Sequence, residues 1–192
     1  MKPIILASSS LARRMLLERL ALPFQTIAPD IDESELPEEA PMNLVARLTK
    51  QKAKAVASNF PNSLVISADQ VIVVQGQAIS KPENKKTAIQ QLMKQSGAWV
   101  TAYSGLGLLN TQTQHYQYAC VATQVQFQTL TLARIEEYLA KEPTAIYCAG
   151  SLRVESLGIS LLSTIHSDDP TALIGLPLIA LCAMLREEGV QV

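Results

Sequence analysis

The stretch Leu64-Val65-Ile66-Ser67-Ala68-Asp69-Gln70 constrains this chain more than any other. Its apolar opening reads as a strand buried on both faces, because Leu, Val and Ile in an unbroken run leave no side for water. The run ends in a carboxylate, and a second apolar run, Val71-Ile72-Val73-Val74, follows at once. An ionised Asp at the edge of a core is costly unless something pairs with it. Two explanations fit. Asp69 closes a strand-end turn by accepting from backbone N–H groups. Or it is a catalytic or metal-binding carboxylate at the C-terminal edge of a sheet, where open α/β folds place their sites.

A length of 192 residues suits one domain, with room for a second lobe. With 48% hydrophobic and 17% charged residues, a sizeable core is available and disorder is not expected. The formal net charge of −1, with Arg13-Arg14 and Lys85-Lys86 as the adjacent basic pairs, excludes a protein that coats a nucleic-acid polymer. Cys120, Cys148 and Cys182 lie far apart, so neither a disulfide framework nor a zinc site is suggested. Each is expected as a small core residue in a reducing compartment. The apolar run Ile4–Ala7 is too short for a secretory signal. The stretch Leu173–Leu185 carries a proline and falls short of the roughly 20 residues a membrane span needs. The expectation is a cytoplasmic protein without a membrane partner.

Taken from the N-terminus, Pro3–Ala7 reads as a buried strand, followed by Ser8-Ser9-Ser10 and a helix over about Leu11–Leu20. Serine caps a helix well, and a strand, a serine turn and a helix start together favour an anion. Arg13 shares a line with Leu16, Leu17 and Leu20, so it should point toward a cleft or a buried partner, whereas Arg14 lies off that line. Pro23–Asp30 reads as a strand. The acidic loop Asp30-Ile31-Asp32-Glu33-Ser34-Glu35 is either solvated or supplies oxygen ligands to a divalent cation. Met42–Ala57 reads as a helix with Pro41 just before it. Leu44, Leu48, Lys52 and Val56 form one stripe, so Lys52 either snorkels outward or reaches across the core face to a phosphate or carboxylate.

Leu64–Asp69 and Val71–Val74 are expected as two strands, with a turn at Gly76. Lys81 is held extended before Pro82 and reads by itself as a surface lysine. A helix over about Asn84–Gln95 stops at Gly97. Trp99–Tyr103 and Leu106–Asn110 read as strands separated by Ser104-Gly105. Ala119–Gln128 alternates as a half-exposed antiparallel strand, with Val121, Thr123, Val125 and Phe127 on one face. A helix opens at Thr131 or Leu132 and stops near Pro143. Ala145–Ser151 is another apolar run ending in small residues, and Glu155 after it is a surface charge or a ligand-reading acceptor. His166–Pro170 reads as a loop. Gly175-Leu176-Pro177 starts a final helix with the proline in its first turn. His115 and His166 fall in apparent loops without triad spacing. The fold class is α/β, a mixed and partly antiparallel sheet flanked by helices.

These fragments together resemble the Maf family of nucleoside triphosphate pyrophosphatases. Ile5-Leu6-Ala7-Ser8-Ser9-Ser10 with Arg13, Asp32-Glu33, Lys52-Ala53, Ser67-Ala68-Asp69, Lys81-Pro82 and Gly175-Leu176-Pro177-Leu178 match family motifs in order. Gln70, and Cys148–Ser151 leading to Glu155, resemble the branch acting on 7-methyl-GTP; the branch acting on dTTP and UTP usually has Thr and Gln at those two positions. Leu11, Ser80 and Ser156 depart from the usual Pro, Gly and Gly. The first two touch backbone near the phosphates, and the third lies beside the base-reading position.

The resemblance implies one domain over residues 1–192, with a nucleotide cleft between two lobes. It implies cleavage of a nucleoside triphosphate between the α and β phosphates, clearing modified nucleotides. Ser8, Ser10, Arg13, Lys52 and Lys81 would hold the triphosphate, whose roughly four negative charges need cations. Asp69 would be the catalytic proton acceptor or, with Glu33, a ligand of Mg²⁺ or Mn²⁺. Ala12, Gln70 and Glu155 would set base specificity, and a carboxylate suits guanine, whose N1 and N2 hydrogens are donors. A homodimer is also implied. A dTTP or UTP pyrophosphatase, and a non-enzymatic nucleotide-binding cell-division regulator, stay open as alternatives.

Overall fold

In the computed structural model, which describes residues 2–192, Leu64–Val74 runs as a single strand of 11 residues straight through Asp69 and Gln70. The expected break is absent because the carboxylate finds its partner on a distant helix and not in a local turn. In chain order the elements are β1 (Ile4–Ala7), α1 (Leu11–Glu18), β2 (Phe24–Ile27), α2 (Pro41–Ala57), β3 (Leu64–Val74) and β4 (Gln77–Ile79). Next come α3 (Lys85–Gln95), β5 (Trp99–Asn110), β6 (His115–Phe127), α4 (Leu132–Lys141), β7 (Leu162–His166) and α5 (Leu178–Glu187). The sheet order is β2-β1-β3-β5-β6-β7, with β4 paired to β3. This is the mixed, partly antiparallel sheet with helices that the sequence indicates.

The chain divides into two units. The first holds Met1–Asp69, Ser104–Val121 and Asp169–Val192; the second holds Gln70–Tyr103 and Ala122–Asp168. In the first, β1 pairs in parallel with β2 and with β3, Ile5 lying opposite Gln25 and Val65. Alternation along a strand sends side chains to opposite faces. Ile4, Leu6, Leu64, Ile66 and Ala68 pack with Leu16 and Leu17 of α1 and with Leu181 and Leu185 of α5. Ile5, Ala7 and Val65 pack with Ala53 and Val56 of α2. Period two then places Ser67 and Asp69 on the same face as Val65, toward α2. That stripe of α2 is buried as its spacing indicates, Lys52 included.

Helix α5 begins after Pro177, which has no side chain able to cap it. The preceding loop supplies the missing acceptors: Thr171 Oγ1 takes the N–H of Leu178 at 2.8 Å, and Asp169 Oδ2 takes that of Ile179 at 2.7 Å. Gly175 in this loop sits at φ +115°, and a Cβ there would lie 3.3 Å from Arg13 Nε. Glycine meets both demands.

Strand β5 is also continuous where two strands are expected. Ser104 does not break it, because its hydroxyl donates to Ala172 O at 2.7 Å and is satisfied inside the sheet. Strand β6 begins at His115, four residues before the alternation becomes visible.

In the second unit, β3 pairs with β4 through Ile72 and Ile79, and β6 with β7 through Val125 and Ile165, with an irregularity at Gln126–Phe127. Thr123, Val125 and Phe127 are buried while Ala122 and Gln124 are exposed, the alternation read from sequence. Helix α3 is capped by Asn84 and α4 by Thr131. The apolar run at 145–151 forms two short 3₁₀ turns, Pro143–Tyr147 and Ala149–Ser151. His115 and His166 end strands and do not sit in loops. The three cysteines are free and half-buried, not core residues as expected.

Candidate functional site

The Lys52–Asp69 pair is the centre of the first unit's polar residues. Helix α2 delivers Lys52 onto the sheet, and its Nζ donates to Asp69 Oδ1 at 2.5 Å with both residues buried. The same ammonium meets Glu33 Oε1 at 2.9 Å; the Glu33 side chain stays 50% exposed. The acidic loop therefore splits by function. Glu33 turns inward, while Asp32 bonds the Ser34 N–H and hydroxyl and caps its own turn. Lys52 reaches a carboxylate across the core face and does not snorkel.

Arg13 comes from the first turn of α1. Its backbone N–H is held by Ser10 Oγ at 3.3 Å, and Ser8 Oγ accepts the Ser10 N–H at 3.1 Å. Its Nε donates to Gly175 O at 2.9 Å. Burial lowers the affinity of this guanidinium for its proton, opposed by the charges of Asp69 and then Glu33. Arg13, Glu33, Lys52 and Asp69 thus share one electrostatic neighbourhood. Ala12 is half-buried on α1 beside Arg13.

Close to this pair lies a layer of buried hydroxyls. Ser67 Oγ, Thr49 Oγ1 and Tyr116 OH have no hydrogen-bond partner among the described residues. Gly105 and Gly107 of β5 make room for them. A Cβ on Gly107 would meet Tyr116 OH at 2.6 Å and Ser67 Oγ at 2.8 Å, and one on Gly105 would meet Thr49 Oγ1 at 2.6 Å. The Tyr118 hydroxyl holds its proton more tightly than usual, through burial first, then Cys120, Tyr116 and Asp69.

The other candidates lie in the second unit. Gln70 follows Asp69 on β3 and is half-buried, and Lys81 is exposed before the buried Pro82. Glu155 accepts from Arg153 Nε at 3.2 Å.

A family model described as Maf-like protein matches residues 3–188. This chain belongs to the Maf-like family. The match spans nearly the whole Maf-like chain, as the ordered motifs indicate. A Pseudomonas fluorescens (strain Pf0-1) protein named 7-methyl-GTP pyrophosphatase is 50% identical over 193 residues, covering 100% of both chains. Proteins of the same name from Pseudomonas aeruginosa and Nitrosococcus oceani are 47% and 48% identical, covering 100% and 98% of this chain and 100% and 94% of theirs. Among solved structures, that of the Staphylococcus aureus Ham1 protein matches at TM-score 0.49 and 14% identity over 67% of this chain and 73% of that one.

Several polar residues of this Maf-like chain escape sequence reasoning. Tyr116 and Tyr118 stand two apart on β6, and starting that strand at His115 would have placed them on one face with Cys120. In the second unit, Arg153 and Glu142 form a 2.8 Å pair, and Ser156 and Thr144 also donate to Glu142. These donors, Ser156 first, hold the Glu142 carboxyl down at about 2. The sequence reading singles out neither Arg153 nor Glu142, because the two meet across irregular backbone that has no period.

Proposed function

We propose that this chain is a nucleoside triphosphate pyrophosphatase that hydrolyses 7-methyl-GTP to 7-methyl-GMP and diphosphate. The observation that carries the reading is the Lys52–Asp69–Glu33 cluster beside Arg13 and the serine-capped start of α1. Full-length similarity to proteins named 7-methyl-GTP pyrophosphatase supports the choice of substrate.

Phosphate oxygens are drawn to the start of α1, where the Ser8–Ser10 turn presents the helix end, and Arg13 and Lys52 offset their charge. Asp69, fixed in orientation by Lys52, accepts the proton of the attacking water. The bond broken is that between the α phosphorus and its bridging oxygen, and diphosphate leaves.

Among the described residues, no group of three or more His, Cys, Asp or Glu is placed to hold a metal ion by itself. Glu33 and Asp69 nevertheless meet at one ammonium, and Mg²⁺ is commonly held by one or two carboxylates with substrate phosphates and waters completing its shell. That donor set fits Mg²⁺ or Mn²⁺ arriving with the triphosphate. When bound, such an ion supplies Lewis-acid polarisation of the phosphoryl group.

Lys81 is assigned to phosphate charge, and Ala12, Gln70 and Glu155 to the base. A 7-methyl group leaves the purine cationic, which favours a carboxylate reader. Free, well-separated thiols fit a cytoplasmic location, and a homodimer belongs to the same reading. Among the described residues, no helix is long and apolar enough to cross a membrane.

The test is pyrophosphate release from 7-methyl-GTP, GTP, dTTP and UTP, with and without Mg²⁺. The reading expects 7-methyl-GTP to have the highest kcat/KM and chelation to remove activity. Preference for dTTP or UTP would move the chain to the other branch. Binding without turnover would make it a nucleotide-binding regulator.

A further inference from the structure

A chain of charges in the second unit ends on the residue assigned to the base. Glu142 is buried, and its Oε1 accepts from Arg153 Nη1 at 2.8 Å and from Thr144 Oγ1 at 2.7 Å. Its Oε2 accepts from Ser156 Oγ. Arg153 then uses a different nitrogen, Nε, to hold Glu155 Oε1 at 3.2 Å. The backbone N–H of Arg153 donates to Tyr138 OH at 3.1 Å, and that hydroxyl donates to Ser151 O, also at 3.1 Å. Both the guanidinium and the backbone that carries it are therefore fixed by buried groups.

We infer that Arg153, locked by Glu142 and Ser156, is a positioning residue that sets the orientation of the Glu155 carboxylate for reading a cationic purine. This rests on the assignment of Glu155 to the base made above. A guanine edge offers two parallel donors, so a carboxylate reads it only when its plane is aligned with the ring. An unheld glutamate must lose rotamer freedom on binding, and a held one has already lost it. The charges are also suited to the ligand. Two carboxylates and one guanidinium leave one negative charge, matching the single positive charge of a 7-methylated purine. Ser156 adds an O–H donor to Glu142, so the residue beside Glu155 serves the anchor of Arg153.

Arg153→Lys separates the two jobs. One ammonium can stay with Glu142 and protect the fold, but it cannot also replace a second nitrogen pointed at Glu155. Wild type, Arg153→Lys, Glu155→Gln and Ser156→Gly are compared by steady-state kinetics on 7-methyl-GTP and GTP, by equilibrium binding of both nucleotides without metal, and by thermal melting. For Arg153→Lys the expectation is a rise of about tenfold in KM and in the dissociation constant for 7-methyl-GTP, with kcat changed less than about threefold. GTP constants should move much less, and melting should stay near wild type. Ser156→Gly should move the same quantities in the same direction by a smaller factor. If Glu155→Gln shifts the preference but Arg153→Lys does not, the positioning role fails and the base assignment survives. If Glu155→Gln leaves the preference unchanged, the base assignment fails and takes this inference with it. Equal losses on both nucleotides with lowered melting would make Arg153 purely structural and overturn the proposal.

Discussion

Replacing Lys52 with methionine should destabilise the protein by about 4 kcal/mol at pH 8. Methionine keeps an apolar stem of similar length in the α2 stripe, so the loss is electrostatic and not steric. At the 2.5 Å separation of Nζ and Asp69 Oδ1, the attraction is about 7 kcal/mol at an effective dielectric constant near 20. Desolvating both ions consumes much of that, so the pair adds little over an apolar one. Breaking it by removing one partner still costs about 3–5 kcal/mol, because a buried carboxylate is left uncompensated. Glu33 contributes less: half of its side chain faces water, so Glu33→Gln should cost below about 1 kcal/mol. Urea unfolding of wild type and of both variants at pH 8 measures this. A Lys52→Met deficit no larger than that of Glu33→Gln would refute the reasoning.

Three further outcomes follow from particular contacts. The Glu142 carboxyl is held at about 2, below its ordinary 4.5, so its contribution to stability is present above the higher value and is lost as pH falls toward the lower. Glu142→Gln should cost about 2 kcal/mol at pH 7, and the gap to wild type in chemical unfolding should close as the pH approaches 2. Gly107→Ala would set a methyl 2.6 Å from Tyr116 OH and 2.8 Å from Ser67 Oγ, so melting should report a loss of about 1–3 kcal/mol. Burial raises the thiols of Cys120 and Cys148, so both should alkylate more slowly at pH 7 than a free thiol, and at ordinary rates once unfolded.

The sequence discloses this molecule unevenly, and the reasons are physical. The two-residue and four-residue periods are local, so the buried stripe of α2, the outward residues of β6 and the place of Lys52 on a core face are all legible. Asp69 misleads because its partner is 17 positions away: a charge in an apolar run looks like the end of a strand until the cation is known. Ser104-Gly105 misleads in the same way, since Ala172 O satisfies the serine and side chains of α2 approach the glycine. The family motifs name Glu155, but not Arg153 or Glu142. Their bond spans 11 positions of turns and 3₁₀ backbone, where no repeat betrays which side chains meet.

The central claim is that Asp69 performs the chemistry, and turnover of 7-methyl-GTP by Asp69→Asn tests it most directly. Asparagine keeps an oxygen for Lys52 to bond but cannot take the proton of water at neutral pH. With the variant shown to be folded by circular dichroism and melting, the account predicts a fall in kcat of about a thousandfold. Wild-type turnover from the folded variant would contradict it.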